Sequence, residues 1–363
     1  MDKSSALIQL KAIFQNNLKN AKKISEAQML IHCDTLNIHE SYGFSKTETP
    51  PDSATPFHVA SIGKTFTATL IGILADRGAL AYSSPISNFL PEEILNGLFV
   101  FNGVDYQKDV TVEHLLRHTS GIADYYVDAV SDGSLMETLI VEDKNHLWTP
   151  LELIAFTRDK QNAFSAPGKH IHYTDTGYTL LGLIIEKITG KPFHENLSDE
   201  IFTPLGMDDS YLVLYSEPKN QPKKLLSKIW FKGTEVSTFN SLSVSWADGG
   251  IVSTPDDLLK FYKALREGRL ICAERLAEME TLTGKFQKGI YLGAGMMEIH
   301  YEDFFFLLKG LPHTKGHIGS LSTHMMYDPI HDAYIIANFG STEFIPQSFR
   351  LMIKVLSVIK GIK

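Results

Sequence analysis

The stretch FHVASIGKTFTATLIGILADRG, Phe57 to Gly78, sets a hydroxyl and an amine three residues apart at the start of a long apolar run. Phe66, Leu70, Ile71, Ile73 and Leu74 recur at helical spacing, and Gly78 stands where a helix takes its C-terminal cap. The spacing predicts a helix opening at Ser61, with residues i and i+3 on one face, so that the Lys64 amine reaches the Ser61 hydroxyl. The start of such a helix offers unpaired N–H groups and the positive end of a dipole, both suited to an oxyanion. Burial of the face around Lys64, together with that positive potential, is expected to lower the lysine pKa and fit the amine to act as a base.

S-x-x-K is a weak pattern, and it recurs at Ser216/Lys219 and Ser357/Lys360. Context separates the three. Ser216/Lys219 stands in a proline-containing loop where spacing fixes no geometry, and Ser357/Lys360 lies near the end of the last predicted helix. Ser61 alone follows a strand-like approach and begins a helix. On that helix by itself, a catalytic pair and a structural cap are both consistent readings.

Outward from this segment, an amphipathic first helix carries Leu7, Leu10, Ile13 and Phe14, and Ala27 to Phe44 alternates as a two-stranded hairpin. From about Ser84 to Met207 the pattern is helical and loop-rich. Thr111 caps one helix, Thr149-Pro150-Leu151-Glu152 is a capping box, and Thr176 to Thr189 is an apolar helix closed by Gly190. Thr254-Pro255-Asp256-Asp257 opens another helix, and Ile290 to Phe339 breaks into short apolar runs (LGAGMMEIHY, FFFLLKG, LSTHMMYD, AYIIANFG) that read as consecutive antiparallel strands. Glu343 to Ile359 is again helical. These elements predict an α+β fold: an antiparallel sheet flanked by helices and built from both termini, with an inserted helical lobe. The expected division is 1–83 with 208–363 for the sheet lobe and 84–207 for the helical lobe, with the active site in the cleft between them.

Composition narrows the function. The chain has 363 residues, 44% hydrophobic and 21% charged, with a formal net charge of −8. That balance disfavours nucleic acid. The most basic stretch, Lys219, Lys223, Lys224 and Lys228, stands beside Glu217, Pro218 and Pro222 and reads as a solvated loop. With Cys33 and Cys272 alone, neither a disulfide framework nor a cysteine-based zinc site can be built, and a buried pair of free thiols is expected. No uninterrupted apolar span is long enough to cross a bilayer, and the N-terminus lacks the apolar centre of a secretion signal. The expected location is cytoplasmic for the chain as it stands, or exported if a leader had been trimmed.

Two further motifs carry chemistry. In HYTDTGY, Tyr173 and Asp175 precede a helix; a phenol near a cationic lysine can relay a proton, and the carboxylate can bind the same ammonium. Y-x-D also occurs at Tyr126/Asp128 and Tyr301/Asp303, and a surface tyrosine with Asp175 as a cap is the plain alternative. In GHIGS, Gly319 permits close backbone approach and the Ser320 N–H is placed to meet a substrate oxygen, with His317 two residues before the glycine. His170 and His172, with His300, His313, His317, His324 and His331, raise the question of a metal. No helical H-E-x-x-H accompanies them, so no zinc site is expected. His118, within HTSGI, reads as structural.

In their order, Ser61/Lys64, Tyr173/Asp175 and His317-Ile318-Gly319 resemble the motifs of the serine β-lactamase and penicillin-recognising hydrolase family, especially its class C, D-alanyl-D-alanine carboxypeptidase and family VIII esterase branch. The blocks HLLRHTSGI (His114 to Ile122), PGKHIHYTDTGYTLLGLIIEKITGKPF with IFTPLGMDDSYL (Pro167 to Leu212), and ADGGIVSTPDDLLKF (Ala247 to Phe261) are similar to family blocks. The resemblance spans roughly Ile24 to Gly340. It implies an acyl-serine mechanism with Ser61 as nucleophile and Lys64 and Tyr173 sharing general base and acid duties. It also implies that the Ser61 and Ser320 N–H groups form the oxyanion hole, that Asp175 holds Lys64, and that His317 faces the substrate. No cofactor or metal is implied.

Two positions depart from the family pattern. Asp175 replaces the usual asparagine and should favour protonated Lys64, shifting the proposed base toward Tyr173. Ile318 replaces the usual threonine, and neutral His317 supplies no charge, so a substrate carboxylate finds less to bind. The expected function is a serine hydrolase cleaving a small ester or amide. The alternatives are a D-alanyl carboxypeptidase, D-aminopeptidase or weak β-lactamase, and a non-catalytic protein that binds penicillin or a cell-wall fragment.

Overall fold

The computed structural model describes residues 1–46, 49–221 and 224–362. Pro222 and Lys223 of the basic stretch lie outside the described residues. The centre is an eight-stranded antiparallel sheet in the order Gly284–Gln287, Ile290–Leu292, Met297–Ile299, Thr314–Gly319, Thr323–Asp328, Ala333–Asn338, Glu26–Cys33, Ile38–Ser45. The two ends of the chain meet inside it. Ala333–Asn338 pairs with Glu26–Cys33 (Leu30 opposite Ile336), and Glu26–Cys33 pairs with Ile38–Ser45 (Leu30 opposite Ser41).

Side chains alternate between two cores, as the strand period requires. Met29, Ile31, Ile335 and Ala337 face one core, which the helices Lys3–Leu18 and Ile345–Lys360 cover through Leu10, Phe14, Leu351 and Val355. Leu30, Met325, Tyr334 and Ile336 face the other, which holds the Gly63–Asp76 helix and the interior of the helical region. Phe66, Leu98, Leu115, Tyr178 and Trp246 belong to that second cluster, so one apolar core runs across residues 84 and 207 without a break.

The capping signals act as expected. Thr111 accepts from the His114 N–H, Thr149 and Glu152 form a reciprocal box, and Thr254 accepts from the Asp257 N–H. Gly190 closes the Asp175–Thr189 helix in the left-handed region at φ 69°. A small sheet of Phe57–His58, Ile251–Ser253 and Tyr211–Leu212 feeds the chain into Ser61.

Three expectations need correction. FFFLLKG is not a strand: Tyr301–Phe304 and Phe306–Leu308 are short helical turns, and Phe305, Phe306 and Leu307 are exposed, so an apolar run here marks surface rather than core. The run LGAGMMEIHY is split at Gly293 to Met296 between two strands, and the edge strand Gly284–Gln287 had no apolar signal. Finally, Cys33 is buried but Cys272 is exposed, both free; the Cys272 N–H donates to Asp76.

Candidate active site

Ser61 occupies a single tight turn, Ala60–Ile62, that leads into the α-helix Gly63–Asp76. Ala60 before it is held at φ 52°, a left-handed conformation costing a non-glycine residue roughly 1–2 kcal/mol. The surroundings impose it. The Val59 N–H donates to the Ile251 carbonyl at 3.0 Å, and the Val59 carbonyl accepts from the Thr323 hydroxyl at 2.8 Å. Two glycines press on the same turn. A Cβ on Gly319 would lie 2.8 Å from the Ala60 Cβ and 2.9 Å from the Val59 oxygen, and one on Gly249 would lie 3.0 Å from the Ala60 carbonyl carbon. Gly319 therefore admits the backbone of the serine turn.

Lys64 is fully buried one turn on. Its Nζ lies 3.4 Å from the Ser61 Oγ, donates to Asp175 Oδ1 at 2.5 Å and to the Asp248 carbonyl at 3.2 Å, and stands 5.0 Å from the Tyr173 ring centroid. Burial pulls its pKa down, but the charges of Asp175, Tyr173 and Asp248 outweigh burial and leave it raised above the ordinary lysine value. The amine is thus held as an ammonium. The expectation of a lowered lysine pKa fails because the local helix was considered without the carboxylates that other segments bring.

Asp175 was named in the sequence as the partner of this ammonium, but two further acidic residues were missed. Asp124 and Asp248 are buried beside the Lys64–Asp175 pair. Asp124 accepts from the N–H groups of Tyr126 (3.0 Å) and Asp175 (3.3 Å); Asp248 accepts from the Trp246 N–H (2.9 Å) and the Tyr125 hydroxyl (3.3 Å). Burial, reinforced by the Asp175 charge, pushes the Asp124 carboxyl well above the usual range and the Asp248 carboxyl to about 7. A signal existed at Asp248, which precedes Gly249-Gly250 in the quoted ADGG; the tight approach that Gly249 permits is against the serine turn.

Tyr173 lines the cleft beside Ser61. Its hydroxyl is buried with no hydrogen-bond partner of ordinary geometry, although Ser61 and Lys64 are close enough to pull its pKa down. Burial wins, and the phenol is pushed up to about 12. The ring stacks on His118 at 4.3 Å between centroids. His118, itself at φ 57° and buried, accepts from the Thr174 N–H through Nδ1 at 3.1 Å, so it fixes the segment that carries Tyr173.

His317 is 1% exposed and is not among the residues lining the cleft. Burial and the Lys64 charge lower its pKa to about 3, so the ring is neutral, with its Nδ1–H donated to the Ile318 carbonyl at 2.7 Å. Ser320 does line the cleft with Ser61. Of the other histidines, His172 pairs with Asp128 at 2.6 Å, His331 with Asp328 at 2.6 Å, and His324 with the Ser348 hydroxyl at 2.8 Å, whereas His300 and His313 stack on each other away from the cleft. The rival S-x-x-K pairs are occupied elsewhere, Lys219 with Asp208, Ser357 with the Ile353 carbonyl and Lys360 with the Gly310 carbonyl.

The cleft has a volume of about 520 Å³, and its wall includes the carboxylates Asp124, Glu137, Asp175 and Asp248 with the apolar Val127, Phe231, Phe286 and Ile345. Residues 10–347 match the Beta-lactamase family. The chain belongs to that family. It is 25% identical over 281 residues to the putative penicillin-binding protein PbpX of Bacillus subtilis (strain 168), covering 76% of this chain and 64% of that one. It is 24% identical over 308 residues to Esterase EstB of Burkholderia gladioli, covering 77% and 74%. The fold is that of D-amino acid amidase from Ochrobactrum anthropi SV3 in complex with D-phenylalanine, with a TM-score of 0.82 at 23% identity over 98% of this chain and 99% of that one. The chain spans about a third to two thirds of the length of the first curated relatives it matches. Members of this family are serine hydrolases, among them esterases, amidases and carboxypeptidases. Among the described residues, no helix is long and apolar enough to cross a membrane.

Proposed function

We propose that this protein is a serine hydrolase that forms an acyl-enzyme on Ser61 and cleaves a small ester or amide bond. The observation that carries the reading is the convergence of the Ser61 hydroxyl, the Lys64 ammonium 3.4 Å away and the unpartnered Tyr173 hydroxyl at one wall of the cleft. With Lys64 held as an ammonium by Asp175, Tyr173 is the group in reach to take the Ser61 proton as Oγ attacks the acyl carbon. It does so from its ionised form, a phenolate that the Lys64 charge stabilises, and the phenol produced then passes the proton to the leaving group. The N–H groups of Ser61 and Ser320 are the proposed donors to the oxyanion.

Among the described residues the cleft wall carries no lysine or arginine and four acidic side chains, two of them held toward the neutral acid by burial; with Ile318 and a neutral His317 on the strand beside it, this disfavours a carboxylate on the substrate. That supports esters and amides over penicillins and peptide C-termini. The same carboxylates favour a substrate amine, which makes an amino-acid amide or D-aminoacyl peptide the second reading. The solved relative bound to D-phenylalanine fits that choice.

A chromogenic short-chain ester, an amino-acid amide, a D-alanyl peptide and a chromogenic cephalosporin, each incubated with the protein, separate these readings. The expected result is turnover of the ester or the amide, with an acyl adduct on Ser61 trapped by mass spectrometry. Turnover that persists in Ser61→Ala sinks the nucleophile assignment, and a penicillin adduct that forms and never hydrolyses favours a binding protein.

A further inference from the structure

The outer part of the sheet gathers a second cluster of chemically active side chains. Met297–Ile299 pairs antiparallel with Thr314–Gly319, with Ile299 opposite Thr314 and Glu298 opposite Lys315. Continuing that register sets His300 against His313, at the mouth of the loop that contains the exposed Phe305, Phe306 and Leu307. The two imidazoles stack, with centroids 3.7 Å apart and planes inclined by 16°. Glu298 reaches into the same point: its Oε1 lies 2.7 Å from His300 Nε2 and 3.4 Å from His313 Nδ1. One ligand atom from each of the three residues falls within 4.8 Å of the others.

We propose that Glu298, His300 and His313 form a binding site for a divalent transition-metal cation of the zinc type. Two imidazole nitrogens and one carboxylate are a donor set suited to zinc, whose bonds of about 2.0–2.2 Å require donors roughly 3.4 Å apart. The His313–Glu298 separation already matches that spacing, and a small rotation of the Glu298 carboxylate opens the shorter contact.

The remaining side chains supply the outer support such sites use. Glu302 Oε1 stands 2.7 Å from His313 Nε2, so that N–H donates to the carboxylate and the lone pair of Nδ1 is left facing Glu298. Two acceptors then confront each other at 3.4 Å, an arrangement that a cation between them resolves. Tyr291 stacks on the far side of His300 at 4.2 Å and limits the rotation of that ring. Side-chain exposures of 15% for Glu298, 18% for His300 and 41% for His313 leave the His313 side open for a water in the fourth position. The cluster holds none of the proposed catalytic residues, so the site's role is to clip the 301–312 loop to the sheet.

The test uses the full chain stripped with a chelator and desalted, then titrated with zinc chloride by calorimetry, with cobalt(II) absorption as a report on coordination geometry. The expected result is one equivalent bound per chain, a tetrahedral cobalt spectrum and a rise in melting temperature with zinc. Both the stoichiometric binding and that rise disappear in His300→Ala and His313→Ala, while ester or amide turnover is retained. Should either alanine variant fail to fold, Glu302→Gln keeps the shape of the outer carboxylate and weakens binding by roughly 10–100-fold. Absence of binding by the wild-type chain overturns the proposal. Unchanged binding in the alanine variants overturns it equally.

Discussion

At the C-terminal end of the strand Thr314–Gly319, Gly319 lies against Ala60 with no room for a methyl group, and His317 is buried, neutral and hydrogen-bonded to the backbone. At its N-terminal end, His313 is 41% exposed, stacks on another imidazole and contacts two carboxylates. The two histidines are four positions apart. Their chemistry differs because one end of the strand supports the turn that carries the serine, whereas the other borders a surface loop. The inner end is constrained on every side, so its residues are fixed by sterics; the outer end is open on one side, so its residues are free to take a ligand.

The sharpest way to break this contrast is to add bulk at the inner end. Gly319→Val would drive carbon into the Thr323 hydroxyl, 2.2 Å from the Cβ position, and into the serine turn beyond it. Overpacking of this kind costs roughly 1–3 kcal/mol of stability. Displacing Ser61 is expected to cost at least about 100-fold in kcat/KM, since misplacement by an ångström does so elsewhere. Gly72→Ala lies in the Lys64 helix, where a Cβ meets the Ile271 side chain at 3.0 Å, and should leave activity unchanged. Kinetics per folded molecule, with the folded fraction taken from circular dichroism, checks both. Full activity in the valine variant would show that the strand does not position the serine.

A smaller effect tests the acidic surroundings of the inner end. Burial raises the Asp248 pKa from 3.8 to about 7, so the folded protein binds a proton there that the unfolded chain has released. A raised pKa contributes stability that is complete below pH 3.8 and is lost as pH climbs to about 7. Asp248→Asn keeps an acceptor for the Trp246 N–H and removes the titration. The variant should therefore gain stability relative to wild type as pH rises from 4 to 7, by up to about 1.4 kcal/mol per pH unit, and hold that gain above 7. Thermal melts across this range decide it, and a constant difference at every pH would contradict the raised carboxyl.

How far the sequence revealed these features depended on the range of the interactions involved. The caps at Thr111, Thr149 and Thr254, the terminal hairpin and the closing glycine of the Asp175–Thr189 helix were legible because each is set by residues within one or two turns. Ser61, Lys64, Tyr173 and Asp175 were legible as motifs, and the structure brings them together. Read from its own helix alone, Lys64 takes the wrong sign, because the carboxylates that decide it, Asp175 and Asp248, come from other segments; Asp175 was legible in its motif, whereas neither Asp124 nor Asp248 carries a periodic or capping signal in the quoted motifs. The edge strand Gly284–Gln287 alternates in burial but has Phe286 as its single large apolar residue over four positions, too little for a period to show in sequence. FFFLLKG misled in the opposite direction, because an exposed apolar loop and a buried strand have the same composition. His300 and His313 were named among the candidate metal ligands and set aside for want of a helical H-E-x-x-H, because the contact that joins them to Glu298 arises from strand pairing.

The finest test concerns a neutral histidine on the strand beside His317. His324, opposite Ile318, donates its Nε2–H to the Ser348 hydroxyl, which passes its own proton to the Ile345 carbonyl. Burial lowers its pKa from 6.5 to about 3. A depressed pKa contributes stability that is present above pH 6.5 and lost as pH falls toward 3, because the unfolded imidazole takes up a proton that the folded one refuses. Replacing this ring by a group that does not titrate removes that uptake. In His324→Phe, the lost hydrogen bond should cost about 1 kcal/mol at pH 7.5. The dependence of unfolding free energy on pH near pH 5 should become shallower by close to one proton, about 1.4 kcal/mol per pH unit. Denaturant melts at pH 7.5, 6, 5 and 4.5 give that slope, and an unchanged slope would mean that burial does not hold the His324 ring neutral, which removes the constraint argued for the inner end of these strands.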